Sequence, residues 1–145
     1  MKLATWNVNS LSVRLPQVLD WLAAQTAQGA PIDVLALQEL KMTDDKFPVQ
    51  AFLDAGYQAQ WFGQKTYNGV ALLTRTAATD VIKNIPGFDD EMARVITGTV
   101  DGVLVIGAYF PNGQEPGSDK FDYKMEWLTS LRSWVESTKV VGTRP

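Results

Sequence analysis

The segment IDVLALQELK, residues 32–41, decides how this sequence folds. Its first part, IDVLALQ, is a largely apolar run, which is typical of a β-strand covered on both faces of a sheet. The run ends at Gln38 and Glu39, and a bare carboxylate inside a protein is unfavourable. Glu39 therefore either caps the next segment, pairs with Lys41, or binds a cation at the rim of the sheet.

The residues before this strand predict a crossover unit. The stretch KLATWNV, residues 2–8, predicts a first strand. The region between the two strands carries apolar residues at helical spacing: Leu15, Val18, Leu19 and Leu22. Strand, helix and strand in this order predict two parallel strands joined by a right-handed connection.

The rest of the chain predicts an α/β fold. A short helix is expected over residues 46–55, and strands are expected over 57–63, 69–75, 94–100 and 102–110. Asp101-Gly102 is a strong signal for a two-residue hairpin turn. A last helix begins near Asp119, its candidate N-cap, and carries one apolar stripe: Phe121, Met125, Leu128, Leu131 and Val135.

These elements predict a mixed sheet, parallel at one edge and antiparallel beyond, with helices on one outer face. The strands over 69–75 and 102–110 are apolar on both faces. Because an apolar face must be buried against another layer, we expect a further layer to cover these strands and expect the chain as given to lack it.

The composition excludes several kinds of site. The 145 residues include no cysteine and no histidine, so thiolate and imidazole metal ligands and a histidine general base are excluded. Any metal must be held by oxygen, which favours Mg²⁺, Mn²⁺ or Ca²⁺. The net charge of −3 does not suggest tight non-specific nucleic-acid binding. No apolar run reaches the roughly 18 residues of a membrane span, so a cytoplasmic protein is expected.

Two polar side chains follow neighbouring strands. Asn7 and Glu39 lie at or just past the carboxyl ends of the first two strands. Ligands gather at such ends in open α/β sheets, and a carboxylate beside an amide is half of a site for a hard cation. The alternatives for Glu39, a cap or an ion pair with Lys41, remain open at this point.

Three further places carry chemistry. Tyr109 closes an apolar strand and leads into a sharp Pro-Asn-Gly turn, which would leave its hydroxyl and the Asn112 amide at one rim; it could equally cover a sheet edge. Lys65 and Tyr67 lie in QKTYNG, which suits a phosphate backbone with a stacked base or, alternatively, a solvated hairpin tip.

Arg94 opens an otherwise apolar strand, where an isolated charge needs a partner. Its guanidinium could contact a phosphate with two hydrogen bonds. It could instead pair with one of the nearby carboxylates: Asp89, Asp90 or Glu91.

Taken together, the motifs resemble one known family. They occur in a fixed order: TWNVNSL (5–11), LALQELK (35–41), YNGVALLTR (67–75), the Arg94 strand and YFPNG (109–113). This order resembles the exonuclease III group of apurinic/apyrimidinic endonucleases, within the endonuclease/exonuclease/phosphatase superfamily. The resemblance implies that residues 1–137 are the N-terminal part of such a domain, about half of a four-layer αββα sandwich. Residues 138–145 depart from the family pattern.

The resemblance also implies an activity, hydrolysis of phosphodiesters in double-stranded DNA at abasic sites and 3′ ends with Mg²⁺ or Mn²⁺. By motif, Glu39 matches the metal-ligand glutamate and Asn7 the active-site asparagine that helps to organise the metal and phosphate. Tyr109 matches the active-site tyrosine. The DNA contacts implied by the same motifs are Asn112, Tyr67, Lys65, Arg94 and Asn9.

The sequence departs from the family in its second half. The family continues with a G-D-x-N segment and an aspartate-histidine pair, and neither is present here. We therefore expect the chain to be inactive or nearly so alone, to bind Mg²⁺ weakly, and to self-associate or require a C-terminal half. The alternatives are a split or non-enzymatic half-domain that needs a partner chain, and another phosphodiesterase or phosphatase of the superfamily.

Overall fold

The computed structural model describes residues 1–139 and contains the helices and strands expected from the apolar periodicity. The elements, in chain order, are β1 (Leu3–Asn7), α1 (Leu11–Ala27), β2 (Val34–Gln38), a short 3₁₀ turn (Asp44–Lys46), α2 (Val49–Asp54), β3 (Gln58–Phe62), β4 (Val70–Thr74), β5 (Thr79–Lys83), β6 (Val95–Val100), β7 (Val103–Ala108) and α3 (Asp119–Lys139). None of these helices is long and apolar enough to cross a membrane.

The strands form two sheets rather than one. The first sheet has the order β1-β2-β4-β3, in which β1 and β2 are parallel and the other pairs are antiparallel. The second sheet has the order β5-β6-β7 and is antiparallel. Asp101 and Gly102 both have positive φ, 50° and 80°, and form the tight turn between β6 and β7 that the sequence predicted.

Three apolar clusters separate four layers. Leu35 and Leu37 of β2 pack under α1 and α2 on the outer face of the first sheet. Leu72 of β4 packs against Ile96 of β6 between the two sheets. Trp127 of α3 covers the outer face of the second sheet. The order of layers is therefore helix, sheet, sheet, helix, and the α/β sandwich predicted from the sequence is confirmed.

Two details of the predicted architecture were wrong. The sheet is not a single mixed sheet with helices on one outer face, because α3 covers the far side of a second sheet. The expectation of a missing layer was also wrong for these strands, since β6 covers β4 from the same chain. Gly107 allows the close approach of the sheets, because a Cβ there would lie 3.1 Å from Leu72 Cδ2.

The last helix also differs from its prediction. Ser118, not Asp119, caps it, because the Ser118 hydroxyl accepts a hydrogen bond from the Phe121 N–H at 3.2 Å. The buried face centres on Trp127, which is fully buried, whereas Met125 of the predicted stripe is 46% exposed.

The sandwich is open at one side, where the edge strands β1 and β7 of the two sheets lie near each other. A crevice of about 410 Å³ between them is lined mainly by apolar residues, among them Leu3, Ala36, Val105 and Ile106. Leu3 is 55% exposed and Val103 is 37% exposed along these edges. Unpaired edge strands with apolar side chains are surfaces on which another strand can add.

Gly69 connects the two sheets through its backbone. It has φ +93°, its N–H donates to the Ala93 carbonyl at 2.9 Å, and its carbonyl accepts from the Leu40 N–H at 3.2 Å. A Cβ at this position would lie 2.8 Å from Leu40 Cβ. Both the backbone conformation and the space therefore require glycine.

We predict that Gly69→Ala lowers the free energy of unfolding by about 2–4 kcal/mol, from left-handed backbone strain and steric overlap with Leu40. Gly29→Ala is the matched control, because Gly29 has φ +79° but no atom within 4 Å of the place that a Cβ would occupy. The control should lose about 1–2 kcal/mol, the backbone contribution alone. Urea denaturation of both variants measures the difference, and equal losses would contradict the packing argument.

Tyr57 gives a prediction about pH. Its hydroxyl donates to the Ile32 carbonyl at 2.6 Å. Burial raises the pKa of the phenol, while the charge of Arg75 lowers this pKa and that of Asp33 raises it, both by less. Because the pKa is higher in the folded state than in the unfolded state, the protonated phenol stabilises the fold at pH values below the unfolded pKa of about 10. This stabilisation is lost as the pH rises through the pKa of the folded state. Tyr57→Phe should lose about 1–2 kcal/mol at pH 8 but show less further loss by pH 10.5.

Urea denaturation at the two pH values checks this expectation. Tyr67→Phe is the matched control, because Tyr67 is 67% exposed and its removal should leave the unfolding curve near that of the wild type. A Tyr57→Phe variant that destabilises as steeply with pH as the wild type would contradict the assignment.

Candidate active site

Backbone hydrogen bonds gather the loops that follow β1 and β2. The Val8 N–H donates to the Gln38 carbonyl at 3.0 Å, and the Ser10 N–H donates to the Glu39 carbonyl at 2.9 Å. The parallel ladder pairs Asn7 with Gln38 at the end of both strands. Asn7 and Glu39 therefore lie at one rim of the first sheet, as the sequence predicted.

Glu39 lies at this rim in a strained backbone conformation. Its φ is +59°, a left-handed conformation that a non-glycine residue rarely adopts, and its side chain keeps 21% of its surface exposed. Lys41 Nζ lies 4.0 Å from Glu39 Oε1, so the ion pair weighed from the sequence is present at its outer limit. Such a partly exposed pair contributes little, and the carboxylate retains room for another partner.

Lys41 makes its closer contact with Asn9. Its Nζ donates to Asn9 Oδ1 at 2.7 Å. The Asn9 N–H in turn donates to Asn7 Oδ1 at 3.1 Å, which fixes the Asn7 amide in a local turn. Asn7, Asn9, Lys41 and Glu39 thus form one polar cluster, and the importance of Lys41 as its bridge was not predicted from the sequence.

Tyr109 brings the second sheet to the same cluster. It follows β7, and its N–H donates to the Arg94 carbonyl at 2.8 Å. Burial raises the pKa of the Tyr109 phenol, and Glu39 raises it further through its charge and as a hydrogen-bond partner, while the charge of Arg94 opposes this. The phenol therefore stays protonated at neutral pH and can donate a hydrogen bond beside the Glu39 carboxylate.

Arg94 packs against two aromatic rings and not against a carboxylate. Its guanidinium carbon lies 5.1 Å from the centre of the Tyr109 ring and 5.6 Å from that of Tyr123. Among residues 1–139, the ion pairs do not include Arg94, so the alternative in which it pairs with Asp89, Asp90 or Glu91 was wrong. The Asp90 carboxylate instead accepts a hydrogen bond from the Tyr123 hydroxyl at 2.6 Å.

The remaining predicted residues lie on loops at the rim. Lys65 and Tyr67 are exposed in the loop between β3 and β4, where the Tyr67 N–H donates to the Lys65 carbonyl at 2.8 Å. The Lys41 N–H donates to the Asn68 carbonyl at 3.0 Å, which places the base of this loop next to Glu39. Asn112 is exposed, and its Oδ1 accepts from the Gln114 N–H at 3.0 Å within its own loop.

A buried asparagine and a partly buried glutamine support the loop between β3 and β4. Asn68 is 6% exposed, and its amide donates to Gln64 Oε1 at 3.1 Å. The same Gln64 oxygen accepts from the Ala93 N–H at 2.9 Å, beside Arg94. No local pattern in the sequence indicated that Gln64 would contact the segment that leads into β6.

The donor set fits an oxygen-bound cation only in part. Glu39 and Asn7 offer the carboxylate and amide oxygens that Mg²⁺ and Mn²⁺ accept. In the part of the chain that the structure describes, no group of three or more Asp, Glu, His or Cys side chains is arranged to hold a metal ion. The described residues at this rim therefore offer one carboxylate and one amide, fewer ligands than a divalent cation requires.

The sequence matches the model of the Endonuclease/Exonuclease/phosphatase family over residues 4–139. The chain belongs to this family. The membership predicted from the order of the motifs is thus confirmed. Two curated relatives of this family member are an exodeoxyribonuclease III from Haemophilus influenzae, 33% identical, and an exodeoxyribonuclease from Bacillus subtilis, 32% identical.

The family member spans about half the length of these relatives. The two alignments cover 94% and 93% of this chain but 51% and 52% of the relatives. Solved structures give the same proportion. A Neisseria 3′ phosphatase bound to a product DNA hairpin matches with a TM-score of 0.90 and 48% identity, over 97% of this chain and 53% of that one.

A second solved structure, an AP endonuclease from Archaeoglobus fulgidus, has a TM-score of 0.88 and 34% identity. The match covers 95% of this chain and 52% of the Archaeoglobus chain. The four layers found here therefore follow the arrangement of layers in about half of each of these larger proteins.

The backbone of Glu39 gives a prediction about stability. Asn adopts positive φ more readily than Gln, and neither amide carries the charge of Glu. We therefore expect Glu39→Asn to be about 0.5–1 kcal/mol more stable than Glu39→Gln. Urea denaturation of the two variants measures this difference, and a more stable Gln variant would contradict the strain inferred at this residue.

Proposed function

We propose that this chain is the N-terminal part of a metal-dependent phosphoester hydrolase that acts on DNA at 3′ ends and abasic sites. The single observation that carries the proposal is the convergence of Glu39, Asn7 and Tyr109 at the ends of β1, β2 and β7. The relatives support the substrate class: one is named a 3′ phosphatase bound to DNA, and another an AP endonuclease.

Glu39 and Asn7 are the residues proposed to hold Mg²⁺ or Mn²⁺. When bound, such an ion neutralises charge on the phosphoryl group and helps to generate the attacking hydroxide. Within the described residues the set contains one carboxylate, so binding to this chain alone is expected to be weak. Lys41, 4.0 Å from Glu39, would further weaken the affinity for a cation.

Tyr109 is proposed to donate a hydrogen bond to a phosphoryl oxygen. The raised pKa keeps its proton in place at neutral pH, which suits a donor rather than a base. Arg94 adds positive charge on the face of the same ring, 5.1 Å from its centre. Together they would stabilise an oxygen that becomes more negative as the phosphoester is cleaved.

The exposed rim residues are proposed as DNA contacts. Lys65 and Tyr67 lie on a loop whose base is bonded to the Glu39 segment, and they suit a phosphate and a stacked base or sugar. Asn112 and Asn9 offer exposed amides on the loops that follow β7 and β1. These contacts would place a scissile phosphate rather than read a sequence.

The open edges β1 and β7 are proposed to receive the rest of the family domain. The crevice of about 410 Å³ between them is mainly apolar, which is unfavourable on a free surface. Without that second part, the chain is expected to be inactive or nearly so and to self-associate. A non-enzymatic half-domain that pairs with a separate chain is the alternative that these same edges favour.

The activity test compares this chain alone with a fusion in which the second half of the Neisseria relative follows it. Substrates are a 3′-phosphorylated duplex and an abasic-site duplex, each with Mg²⁺. We expect turnover by the fusion and little or none by the chain alone. Glu39→Gln in the fusion should lower turnover by about 100-fold or more, because it removes the proposed metal carboxylate.

Two results would count against the proposal. A folded fusion that hydrolyses phosphoinositides but neither of the two DNA duplexes would favour another branch of the family. Robust incision by the chain alone, lost in Glu39→Gln, would overturn the expected inactivity. Leu53→Gln, at a 47% exposed position of α2, is the matched control and should leave the turnover of the fusion unchanged.

A further inference from the structure

Arg94 lies between two aromatic rings instead of beside a carboxylate. Its guanidinium carbon lies 5.1 Å from the Tyr109 ring centre and 5.6 Å from the Tyr123 ring centre. Its Nη1 donates to the Tyr109 carbonyl at a long 3.4 Å. Its Nε is buried without a hydrogen-bond partner among the described residues. The cation is thus held mainly by ring faces, an arrangement that a nearby free carboxylate would disturb.

Asp90 is such a carboxylate, and each of its oxygens already accepts one hydrogen bond. Oδ2 accepts the Tyr123 hydroxyl at 2.6 Å, and Oδ1 accepts the Met92 N–H at 3.0 Å. Asn84 keeps Asp90 and Arg94 close together, because its amide donates to the Asp90 carbonyl at 2.9 Å and accepts from the Arg94 N–H at 3.4 Å.

The competition between these contacts favours an ion pair unless something prevents it. A charge-assisted, bidentate pair of hydrogen bonds between arginine and a carboxylate is stronger than a cation–π contact at a partly exposed site. The Tyr123 hydroxyl makes a short, charge-assisted hydrogen bond to the Asp90 carboxylate and so competes with Arg94 for it. Tyr123 also offers its own ring to Arg94, so one side chain acts on both charges.

We propose that Tyr123 is a positioning residue: by binding the Asp90 carboxylate, it keeps the Arg94 guanidinium on the Tyr109 ring instead of in an ion pair with Asp90. The functional meaning of this position rests on the proposed function, in which Tyr109 faces a phosphoryl oxygen. Helix α3 thereby contributes to the site although none of its residues lies at the rim that carries Glu39.

The test follows the Arg94 side chain by NMR in the full chain. In the wild type, the Arg94 methylene protons should be shifted upfield by the two rings and show NOEs to the Tyr109 ring. Tyr123→Phe keeps a ring but frees Asp90, so the NOEs to Tyr109 should be lost as Arg94 turns to Asp90. Arg94→Lys assigns the signals.

The rescue distinguishes positioning from a loss of structure. The double variant Tyr123→Phe with Asp90→Asn removes the competing charge and should restore the NOEs to Tyr109, although it lacks both partners of the original bond. A merely structural role for Tyr123 would leave the double variant at least as disturbed as the single one. That outcome, or NOEs that persist in Tyr123→Phe alone, would overturn the proposal.

Asp90→Asn alone provides a test that does not depend on Tyr123→Phe folding. Arg94 should remain on the Tyr109 ring in this variant, and its departure would overturn the proposal. None of these measurements uses DNA or a metal. Turnover of a 3′-phosphorylated duplex by the fusion is measured separately, so a folded fusion without turnover, beside the expected NOE pattern in the chain, would count against the proposed function and leave the positioning role standing.

Discussion

The two backbone hydrogen bonds of Gly69 are the constraint on which the site depends. The β-sheets of this protein are separate ladders, and the bond from the Gly69 N–H to the Ala93 carbonyl at 2.9 Å joins the start of β4 to the residue two before β6. The Gly69 carbonyl holds Leu40, the residue after Glu39, at 3.2 Å. Through one glycine, the segment that carries Glu39 keeps a fixed position relative to the strand that follows Arg94.

The same constraint explains why non-glycine residues with positive φ lie around the site. Asn9, Ser10, Glu39 and Lys41 all adopt it at the ends of the first two strands. Each of the two segments must turn sharply there to form hydrogen bonds with the other, and Asn tolerates this backbone conformation better than Glu or Lys. Strain of this kind persists only where the surrounding contacts over-determine the backbone. The hydrogen bonds to Asn68, Gly69 and Ser10 are those contacts.

The sequence predicted what depends on local patterns. The apolar run before Gln38, the Asp101-Gly102 turn and the polar residues at strand ends gave the strands, the hairpin and the rim position of Glu39. Strand β5 was missed because Thr79–Lys83 is polar and mostly exposed, with a bulge against β6. The division into two sheets was implied by the family resemblance but not by the apolar pattern, because apolar strands such as Val70–Thr74 have the same pattern whether a helix or a second sheet covers them.

Contacts between elements distant in the sequence were beyond local patterns as well. The sequence left Arg94 with two possible partners, a phosphate or a nearby carboxylate. Nothing in the spacing indicated that Tyr123, 33 residues after Asp90, would bind the Asp90 carboxylate from a helix. The stripe on α3 was misplaced for a related reason. Trp127 is buried in a cluster with Ile85 and Val95, and its ring centre lies 4.9 Å from that of Phe110, partners that are set by the fold.

The charges at the rim explain why the described residues make a poor site for a divalent cation. Glu39 has Lys41 at 4.0 Å, and Tyr109 has the Arg94 cation on its ring. With one carboxylate and two cations, the rim carries a net positive charge, so it attracts an anion such as a phosphate better than a divalent cation. Tight binding of Mg²⁺ would need further carboxylates at the same rim to reverse this balance.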